Sequence, residues 1–411
     1  MKDKNVAHIT IYLFARGISQ IGDFMLLIAI NIWVLNVTHS PTAVSILWII
    51  PAVARLLVSS WAGSITDRLG RRTVMIVTEF VRATLIAGMA VAGHLWQLYL
   101  LLLLVNGVGS FFSASSGPYV TYLIPNRRRK RVNAIGGALQ SGAVVVGPAL
   151  TGLILRLTNH ISSVIWIDAI TFLISAISLF VLPTFNSDVE ETPNTEEKPA
   201  VLRVWILDLR QAMRVLRQRA FFTIVLSLVT LSGVMGAATD SQEVVFAKSV
   251  LHLSPSQYSF LVSIAGAGYV LGAIFVAILA NKLSLNLLIG VGSLLGSGGF
   301  VIYAFSHSLS IAAIGFVVLG IFISLSSAGF STYYQMSLPP EYMGRVANVT
   351  TPITQGFTIV LTVAAGLIAA AIGVQTMTIG FTICMLVLGA ITFVVTLCRP
   401  SNPMSESTTS I

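Results

Sequence analysis

Long apolar segments recur along the whole chain and are separated by short polar connections. A helix that crosses a bilayer needs about 20 apolar residues, and twelve segments meet this requirement. The first, from about residue 9 to residue 35, is too long for a cleaved signal peptide, and no small-residue cleavage site follows it. The pattern predicts an all-α polytopic membrane protein with twelve transmembrane helices.

The second half of the chain repeats the pattern of the first half at an offset of 214 residues. Ser40-Pro41 matches Ser254-Pro255, Pro125 matches Pro339, and other matches at the same offset spread over more than 100 residues. A parallel repeat is typical of two bundles related by an axis along the membrane normal. The repeat therefore predicts two pseudo-symmetric six-helix bundles.

These bundles are expected at residues 1–183 and 220–398, joined by a cytoplasmic linker at 184–219. The linker starts as a polar stretch and continues from residue 201 with apolar residues at helical spacing between arginines. This spacing predicts an amphipathic helix on the inner membrane surface, with clamping of the two bundles as the alternative. Residues 399–411 are rich in serine and threonine and predict a disordered cytoplasmic tail.

The composition agrees with a membrane protein, because 55% of the residues are hydrophobic and only 9% are charged. The net charge of +9 does not indicate nucleic-acid binding, since 19 of the 24 Lys and Arg residues fall in the termini and alternate loops. This distribution predicts a cell-membrane protein with both termini in the cytoplasm. Cys384 and Cys398 are not expected to form a disulfide, and no histidine pair has the spacing of a metal site.

Acidic residues inside the predicted spans are candidates for proton coupling. A charged side chain at the centre of a span costs about 2.5–3.5 kcal/mol on insertion scales. Asp23 lies in the first span with Arg16 two turns earlier, whereas Asp240 and Glu243 lie near the end of the seventh. An acid that alternates between charged and protonated forms can couple proton entry to substrate release. A structural ion pair or a helix cap is the alternative for Asp23.

The third span adds Glu79 and Arg82 at i, i+3 spacing. The two can pair with each other, or they can join Asp67 and Arg55 in a charge network. Glu79 is a further candidate for proton coupling. Asp168 lies on the sixth span, which we expect to be peripheral, so a structural role is expected first for this residue.

A glycine- and arginine-rich stretch joins the second and third predicted spans. Its notable residues are Gly63, Asp67, Arg68, Gly70, Arg71 and Arg72. Glycines permit a sharp reversal, and arginines favour the cytoplasmic side, but neither requirement explains the acid. The stretch resembles the loop G-x-x-x-D-R-x-G-R-R between helices 2 and 3 of major facilitator superfamily transporters.

The resemblance implies a gating role for this loop. In that family the loop acid contacts the N-terminus of the eleventh helix, which corresponds here to Gly344-Arg345-Val346, where the helix dipole favours an anion. The repeat-equivalent stretch, at about residues 277–286, lacks the acid. Asp67 is therefore expected to stabilise one transport state from one half of the molecule only.

The fifth span resembles the glycine–proline motif of antiporters in this superfamily. The matching residues are Gly142, Gly147, Pro148 and Gly152. The resemblance implies export, whereas the plainer interpretation is close helix packing through small residues. Together with Ile21-Gly22-Asp23-Phe24 and Ile167-Asp168-Ala169, the motif is similar to the drug:proton antiporter branch that includes macrolide efflux pumps. Leu103 departs from that pattern, because many proton-coupled relatives have an arginine there.

The major facilitator fold implied by this resemblance places the substrate cavity among helices 1, 4, 7 and 10. Candidate lining residues are Asn106, Ser110, Phe112, Tyr333, Tyr334 and Gln335. Aromatic and hydroxyl groups with few charges suit a bulky amphipathic molecule. The expected function is therefore export of amphipathic small molecules such as macrolides by a monomer that alternates access and is driven by a proton gradient. The alternatives are a siderophore exporter, a lysophospholipid exporter or flippase, and a non-transporting sensor.

An enzyme is not expected. The sequence contains neither a G-x-x-x-x-G-K-[ST] phosphate loop nor an H-E-x-x-H or G-x-S-x-G motif. The absence of the phosphate loop disfavours an ATP-driven pump. No cofactor is expected besides the proton gradient, and the expected partners are the substrate and the lipid bilayer.

Overall fold

The computed structural model describes residues 2–184, 201–279 and 283–398. These residues form fourteen helices and no strand. In the first half the helices are α1 (Lys2–Thr38), α2 (Pro41–Leu69), α3 (Arg71–Ala90), α4 (Leu95–Leu123), α5 (Asn126–Thr158), α6 (Ile161–Leu179) and α7 (Val201–Gln218). In the second half they are α8 (Ala220–Asp240), α9 (Glu243–Ser249), α10 (Pro255–Leu279), α11 (Leu285–Ala304), α12 (Leu309–Ser337), α13 (Pro340–Ile372) and α14 (Val374–Leu397).

Twelve of these helices are long and apolar enough to cross a membrane. Helices suit this environment because they satisfy every backbone polar group within one segment. The first candidate span is Val6–Thr38, and the two helices outside the set are α7 and α9. The prediction of an all-α protein with twelve membrane-spanning helices is confirmed.

The internal repeat is also confirmed. Helices α3, α4 and α5 recur as α11, α12 and α13, with the same lengths and both ends displaced by 214 residues. Pro125 and Pro339 precede α5 and α13 with almost identical backbone angles, φ −57°, ψ 144° and φ −60°, ψ 144°. The repeat therefore extends from the sequence pattern to the helix boundaries.

The chain forms two compact units. The first contains residues 1–190 and 252–266, and the second contains residues 191–251 and 267–411, so that α10 is divided between them. The domain boundaries at 183 and 220 stay predictions. The polar part of the linker, at residues 186–199, and the tail at 399–411 lie outside the described residues.

Within the first unit, α1 packs against α5 and α6, while α3 packs against α4 and α6. This arrangement brings α1, α3 and α6 together, and their facing surfaces include buried polar residues as well as apolar ones. Within the second unit, α11 lies between α12 and α14, and α8 packs against α13 and α14.

The amphipathic helix α7 packs against α8 and α13. Its residues Ala212 and Val215 are buried in an apolar cluster with Phe222 of α8 and Val346 of α13. The side chains of residues 201–208 lie outside the described set. The apolar face of the second half of the helix is thus covered by α8 and α13, and its position on the inner membrane surface stays a prediction.

The predicted loop from Gly63 to Arg72 is almost entirely helical. Helix α2 continues to Leu69 and α3 begins at Arg71, which leaves Gly70 alone between them. Gly70 has φ 80° and ψ 121°, a conformation that glycine adopts without steric cost. The prediction of a loop over this stretch is wrong, because a single glycine is sufficient for the reversal.

Glycines allow α11 to approach α12 closely. A Cβ atom added at Gly299 would lie 2.5 Å from the backbone nitrogen of Leu319, whereas a Cβ added at the neighbouring Gly298 would meet nothing within 4 Å. Backbone atoms cannot move aside as a flexible side chain can. The second unit therefore depends on the absence of a side chain at position 299.

We expect Gly299→Ala to destabilise the protein by about 1–3 kcal/mol, the usual cost of overpacking. The measurement is thermal unfolding of the detergent-purified protein. Gly298→Ala is the matched control and should leave the melting temperature unchanged or slightly raised, since alanine is the better helix former. Equal melting temperatures for the two variants would show that α11 and α12 are not in close contact at Gly299.

Candidate functional site

A cavity of about 940 Å³ lies in the first unit, with walls formed by α1, α2, α3 and α4. Three of the predicted substrate-lining residues, Asn106, Ser110 and Phe112, are in its wall. Arg16 and Arg55 also line it. The cavity thus combines amide, hydroxyl and aromatic groups with arginine side chains.

Two ion pairs join the charged residues in this wall. Arg82 Nη2 of α3 lies 2.7 Å from Asp23 Oδ1 of α1, and Arg82 Nη1 lies 3.5 Å from Glu79 Oε1. The three side chains differ in access, because that of Asp23 is 44% exposed, that of Arg82 12% and that of Glu79 1%. Asp23 therefore faces the cavity, and Glu79 lies behind it.

Serine and aromatic side chains complete the surroundings of Arg82 and Glu79. Ser19 Oγ donates a hydrogen bond to Glu79 Oε2 at 3.1 Å and lies 3.3 Å from Ser175 Oγ of α6. The Arg82 guanidinium lies 4.1 Å from the centre of the Phe172 ring, which is within the range of a cation–π interaction. The sequence did not indicate Ser19, Ser175 or Phe172, because hydroxyl and aromatic residues are common throughout apolar helices.

Asp168 of α6 lies against this group and is completely buried. Thr171 Oγ1 donates to Asp168 Oδ1 at 3.2 Å, whereas Oδ2 has no hydrogen-bond partner among the described residues. A Cβ atom added at Gly22 would lie 2.0 Å from Asp168 Oδ1, so glycine at position 22 makes room for the carboxyl group. Helix α6 packs against both α1 and α3, and the structural role expected first for Asp168 stays a prediction.

We call Asp23, Glu79, Arg82 and Asp168 the charge cluster. It contains three carboxyl groups and one guanidinium, which pairs with two of them. Arg55 does not join it, since Arg55 Nε donates to Pro51 O of its own helix at 3.2 Å. The structure thus contains the pair of Glu79 with Arg82 that the spacing allowed, and it adds a pair of Asp23 with Arg82.

We expect Arg82→Gln to destabilise the protein strongly, by up to about 3–5 kcal/mol, because removing one partner of a buried pair leaves the other uncompensated. Thermal unfolding in detergent measures this loss. Arg55→Gln is the matched control, and it should have little effect because Arg55 is exposed and bonded within its own helix. A melting temperature for Arg82→Gln equal to that of Arg55→Gln would contradict the pairing.

The arginines of the predicted gating stretch contact neighbouring helices. Arg72 Nη1 donates to Thr184 Oγ1 at 2.8 Å and Nε donates to Leu179 O at 3.5 Å, at the end of α6, where a helix favours a cation. The Arg71 guanidinium lies 5.3 Å from the centre of the Tyr122 ring. The surroundings of Gly63 and the side chains of Asp67 and Arg68 lie outside the described set, so the proposed contact of Asp67 with the start of α13 stays a prediction.

The glycine–proline motif lies behind the charge cluster. A Cβ atom added at Gly147 would lie 2.6 Å from Phe24 Cβ, next to Asp23, whereas one added at Gly142 would meet nothing within 4 Å. One added at Gly152 would lie 3.1 Å from Ser256 O of α10. Two of the three glycines therefore mark close helix contacts, and Pro148 lies between them inside α5.

We expect Gly147→Ala to destabilise the protein by about 1–3 kcal/mol, because the added methyl group would overlap with α1 at Phe24, next to Asp23. Gly142→Ala is the matched control and should leave the melting temperature unchanged, since a Cβ atom there meets nothing within 4 Å. Thermal unfolding of the purified protein measures the effect. Equal melting temperatures for the two variants would show that α1 and α5 are not in close contact at Gly147.

A second cavity, of about 330 Å³, lies in the second unit. Asp240 lines it as the last residue of α8, whereas Glu243 begins the separate helix α9. Glu243 Oε1 is buried and has no hydrogen-bond partner among the described residues.

The predicted lining residues Tyr333, Tyr334 and Gln335 are not in the wall of this cavity. Tyr333 packs against Phe221 with a ring distance of 6.4 Å, Tyr334 Oη donates to Met343 O at 3.0 Å, and Gln335 is exposed. The placement corrects the prediction for these three residues. The turn of α12 that carries them packs against other helices, and the preceding turns line the cavity.

Comparison with known proteins gives matches along most of the chain. The model of the Major Facilitator Superfamily matches residues 12–363. The uncharacterized MFS-type transporter YfiS of Bacillus subtilis is 25% identical, over 93% of this chain and 91% of the relative. Macrolide efflux protein A of Streptococcus pyogenes is 21% identical, over 82% of each chain.

A solved structure shares the fold. It is a bacterial homolog of the human lysosomal transporter Spinster in an inward-facing, unoccupied conformation. The match has a TM-score of 0.74 and covers 97% of this chain and 98% of that one, at 13% identity. The likeness therefore concerns the arrangement of the helices.

Proposed function

Because this chain belongs to the major facilitator superfamily, we propose that it is a proton-coupled exporter of amphipathic small molecules, with macrolides as the first class to test. Its twelve apolar helices and its relatives make it a multi-pass membrane transporter. The direction of transport, the coupling ion and the cargo are parts of the proposal. Each is supported by particular residues of the first unit.

The observation that carries the proposal is the excess of acids in the charge cluster. Arg82 pairs with Asp23 and Glu79, while Asp168 is completely buried without a cationic partner among the described residues. An uncompensated carboxylate among membrane helices is costly, and a carboxyl group in this position avoids the cost by holding a proton. The cluster therefore has the composition of a site that binds and releases protons.

Asp23 provides the route between this cluster and water. Its carboxylate is the most exposed of the group and lines the cavity. When Asp23 takes up a proton, its attraction to Arg82 falls, and the guanidinium becomes available to the remaining carboxylates. Protonation at the cavity surface would thus change the pairing within the bundle, which is how proton entry could favour one transport state over another.

The cargo class follows from the first cavity. Its volume of about 940 Å³ is at the upper end of small-molecule pockets, and Asn106, Ser110 and Phe112 supply mixed polar and aromatic surface. The name of the related macrolide efflux protein supports macrolides as the first test, and the direction of transport rests on the resemblance of the glycine–proline motif to that of antiporters.

The first test is the accumulation of a radiolabelled macrolide by a bacterial host that lacks its own efflux pumps. Wild-type protein should lower accumulation, and an uncoupler should restore it. Asp23→Asn should raise accumulation to the level of cells without the protein, because the side chain can no longer carry a proton. Asp23→Glu should keep part of the activity, since it retains the acid.

Proteoliposomes distinguish lost coupling from lost folding. Asp23→Asn should still exchange labelled for unlabelled macrolide at equal pH, while it loses accumulation driven by a pH gradient. Gradient-driven transport by Asp23→Asn at the wild-type rate would exclude Asp23 as the coupling acid. Movement of a lysophospholipid or a siderophore instead of a macrolide would overturn the cargo, and wild-type protein that moves none of them under any gradient would favour the sensor.

A further inference from the structure

The wall of the first cavity changes from polar to apolar along its length. On α1 the lining residues are first Arg16, Ser19, Gln20 and Asp23, and then only apolar residues as far as Ile30. A helix rises about 1.5 Å per residue, so the lined stretch of α1 is about 21 Å long. The cavity therefore offers an elongated molecule two ends of different chemistry.

The neighbouring helices α2 and α4 change in the same sense. Successive spans cross a membrane in opposite directions, so the ends of α2 and α4 lie on the same side as the start of α1. The lining of α4 begins with apolar residues at Leu102 and continues mainly with small and hydroxyl residues as far as Gly117, while on α2 Leu47 precedes Arg55. We call the part of the cavity beside Arg16 and Gly117 the polar end and the part beside Leu47 and Leu102 the apolar end.

Two arginines in this wall are not used by the charge cluster. The acids in the wall, Asp23 and Glu79, both pair with Arg82, and no described acid pairs with Arg16 or Arg55. Arg55 donates one N–H to its own helix, which leaves the terminal nitrogens of its guanidinium available to a ligand. The cavity therefore contains two positive groups without a counter-charge among the described residues.

The hydroxyl groups on the α4 side of the wall donate within their own helix. Ser110 Oγ donates to Asn106 O at 3.1 Å, and Ser113 Oγ donates to Gly109 O at 3.0 Å. A hydroxyl that donates in this way offers a ligand only its lone pairs. The strongest donors left for a ligand are the two guanidiniums, whose geometry matches that of carboxylate and phosphate oxygens.

We propose that the first cavity binds amphiphiles that carry a carboxylate or a phosphate group, with Arg16 and Arg55 attracting the anionic group and the apolar end holding the body. The proposal rests on the proposed export function, and it adds that negatively charged amphiphiles are preferred to neutral and cationic ones. It assigns Arg16 and Arg55 to the ligand, while the charge cluster serves the proton.

Binding of the fluorescent fatty acid dansyl-undecanoate to the purified full-length protein in phosphatidylcholine nanodiscs tests this site, with empty nanodiscs as the background. The acid should bind saturably and at least about tenfold more tightly than its methyl ester, because the ester has the same body but no charge for the guanidiniums. Equal binding of the acid and the ester overturns the proposal.

Competition with ligands of equal chain length tests the sign of the charge. Dodecanoate and dodecyl phosphate should displace the probe, whereas dodecyltrimethylammonium should not. Displacement by one of the two anions alone upholds the site and identifies the group that it recognises. Equal displacement by the cation overturns the proposal.

Two arginine variants test the residues that attract the anionic group. Arg16→Gln and Arg55→Gln should each weaken binding of the acid by about tenfold and leave binding of the ester unchanged. Arg156→Gln is the matched control and should bind both like the wild type, because Arg156 is exposed in the last turn of α5 and does not line the cavity. Arg55 is exposed, so its variant is expected to fold even if Arg16→Gln does not. Wild-type affinity for the acid in either folded variant overturns the proposal.

A pair of glycine variants tests the cavity without removing a charge. Gly117 lies at the polar end, whereas Gly380 of α14 does not line the cavity, and an added Cβ atom meets nothing within 4 Å at either position. Gly117→Leu should fill the polar end and lower binding of the acid, and Gly380→Leu should preserve it. Unchanged binding by Gly117→Leu places the probe elsewhere and overturns the proposal.

These assays separate the inference from the proposed function, because binding to the purified protein needs neither a gradient nor transport. Binding of dansyl-undecanoate that depends on Arg16 and Arg55 upholds the site even if macrolide export fails. Export of macrolides by a protein that binds the acid no better than its ester would leave the proposed function intact and overturn the preference for anions.

Discussion

The pairing of Arg82 with Asp23 and Glu79 governs how the first unit can be built. A guanidinium and carboxylates among membrane helices are tolerated only where they compensate one another, so α1, α3 and α6 must meet with their polar faces inward. The close approach of Asp168 to Gly22, the hydrogen bond from Ser19 to Glu79 and the ring of Phe172 beside Arg82 all follow from that requirement. The same contacts leave Asp23 at the wall of the cavity.

The features of this architecture that depend only on the order of residues along the chain could be predicted from the sequence. Span length, the 214-residue offset and the candidate acids depend only on composition and spacing, and the helices agree with them. Asp23 and Arg82 lie 59 positions apart in the sequence and on different helices. No local pattern could therefore show that Asp23 pairs with Arg82 and not with Arg16. The contact of Asp168 with α1 at Gly22 could not be predicted, because a uniformly apolar helix does not reveal which neighbours its polar residue will face. Tyr333 and Tyr334 were misplaced because aromatic residues fill apolar clusters as readily as they line cavities.

The two units differ in the polar side chains that line their cavities. Arginines and acids line the first cavity together, whereas a single acid stands among aromatic and hydroxyl groups in the second. Such a division suits a transporter whose driving ion and cargo differ in chemistry, because each can be bound by groups that the other does not need.

Because the chain contains an internal repeat, its second half shows what occupies the positions of the charge cluster when the charges are absent. The residues 214 positions after Asp23, Glu79, Arg82 and Asp168 are Ala237, Ser293, Gly296 and Thr382, and they lie in α8, α11 and α14, so these helices form without an ion pair at the positions of the charge cluster. Stability alone therefore does not account for the presence of Arg82 and its three acids in the first half. The first half of the chain carries a group of buried charges that is energetically costly, and the second half lacks it. These charges are therefore expected to serve the function of the protein and not its folding.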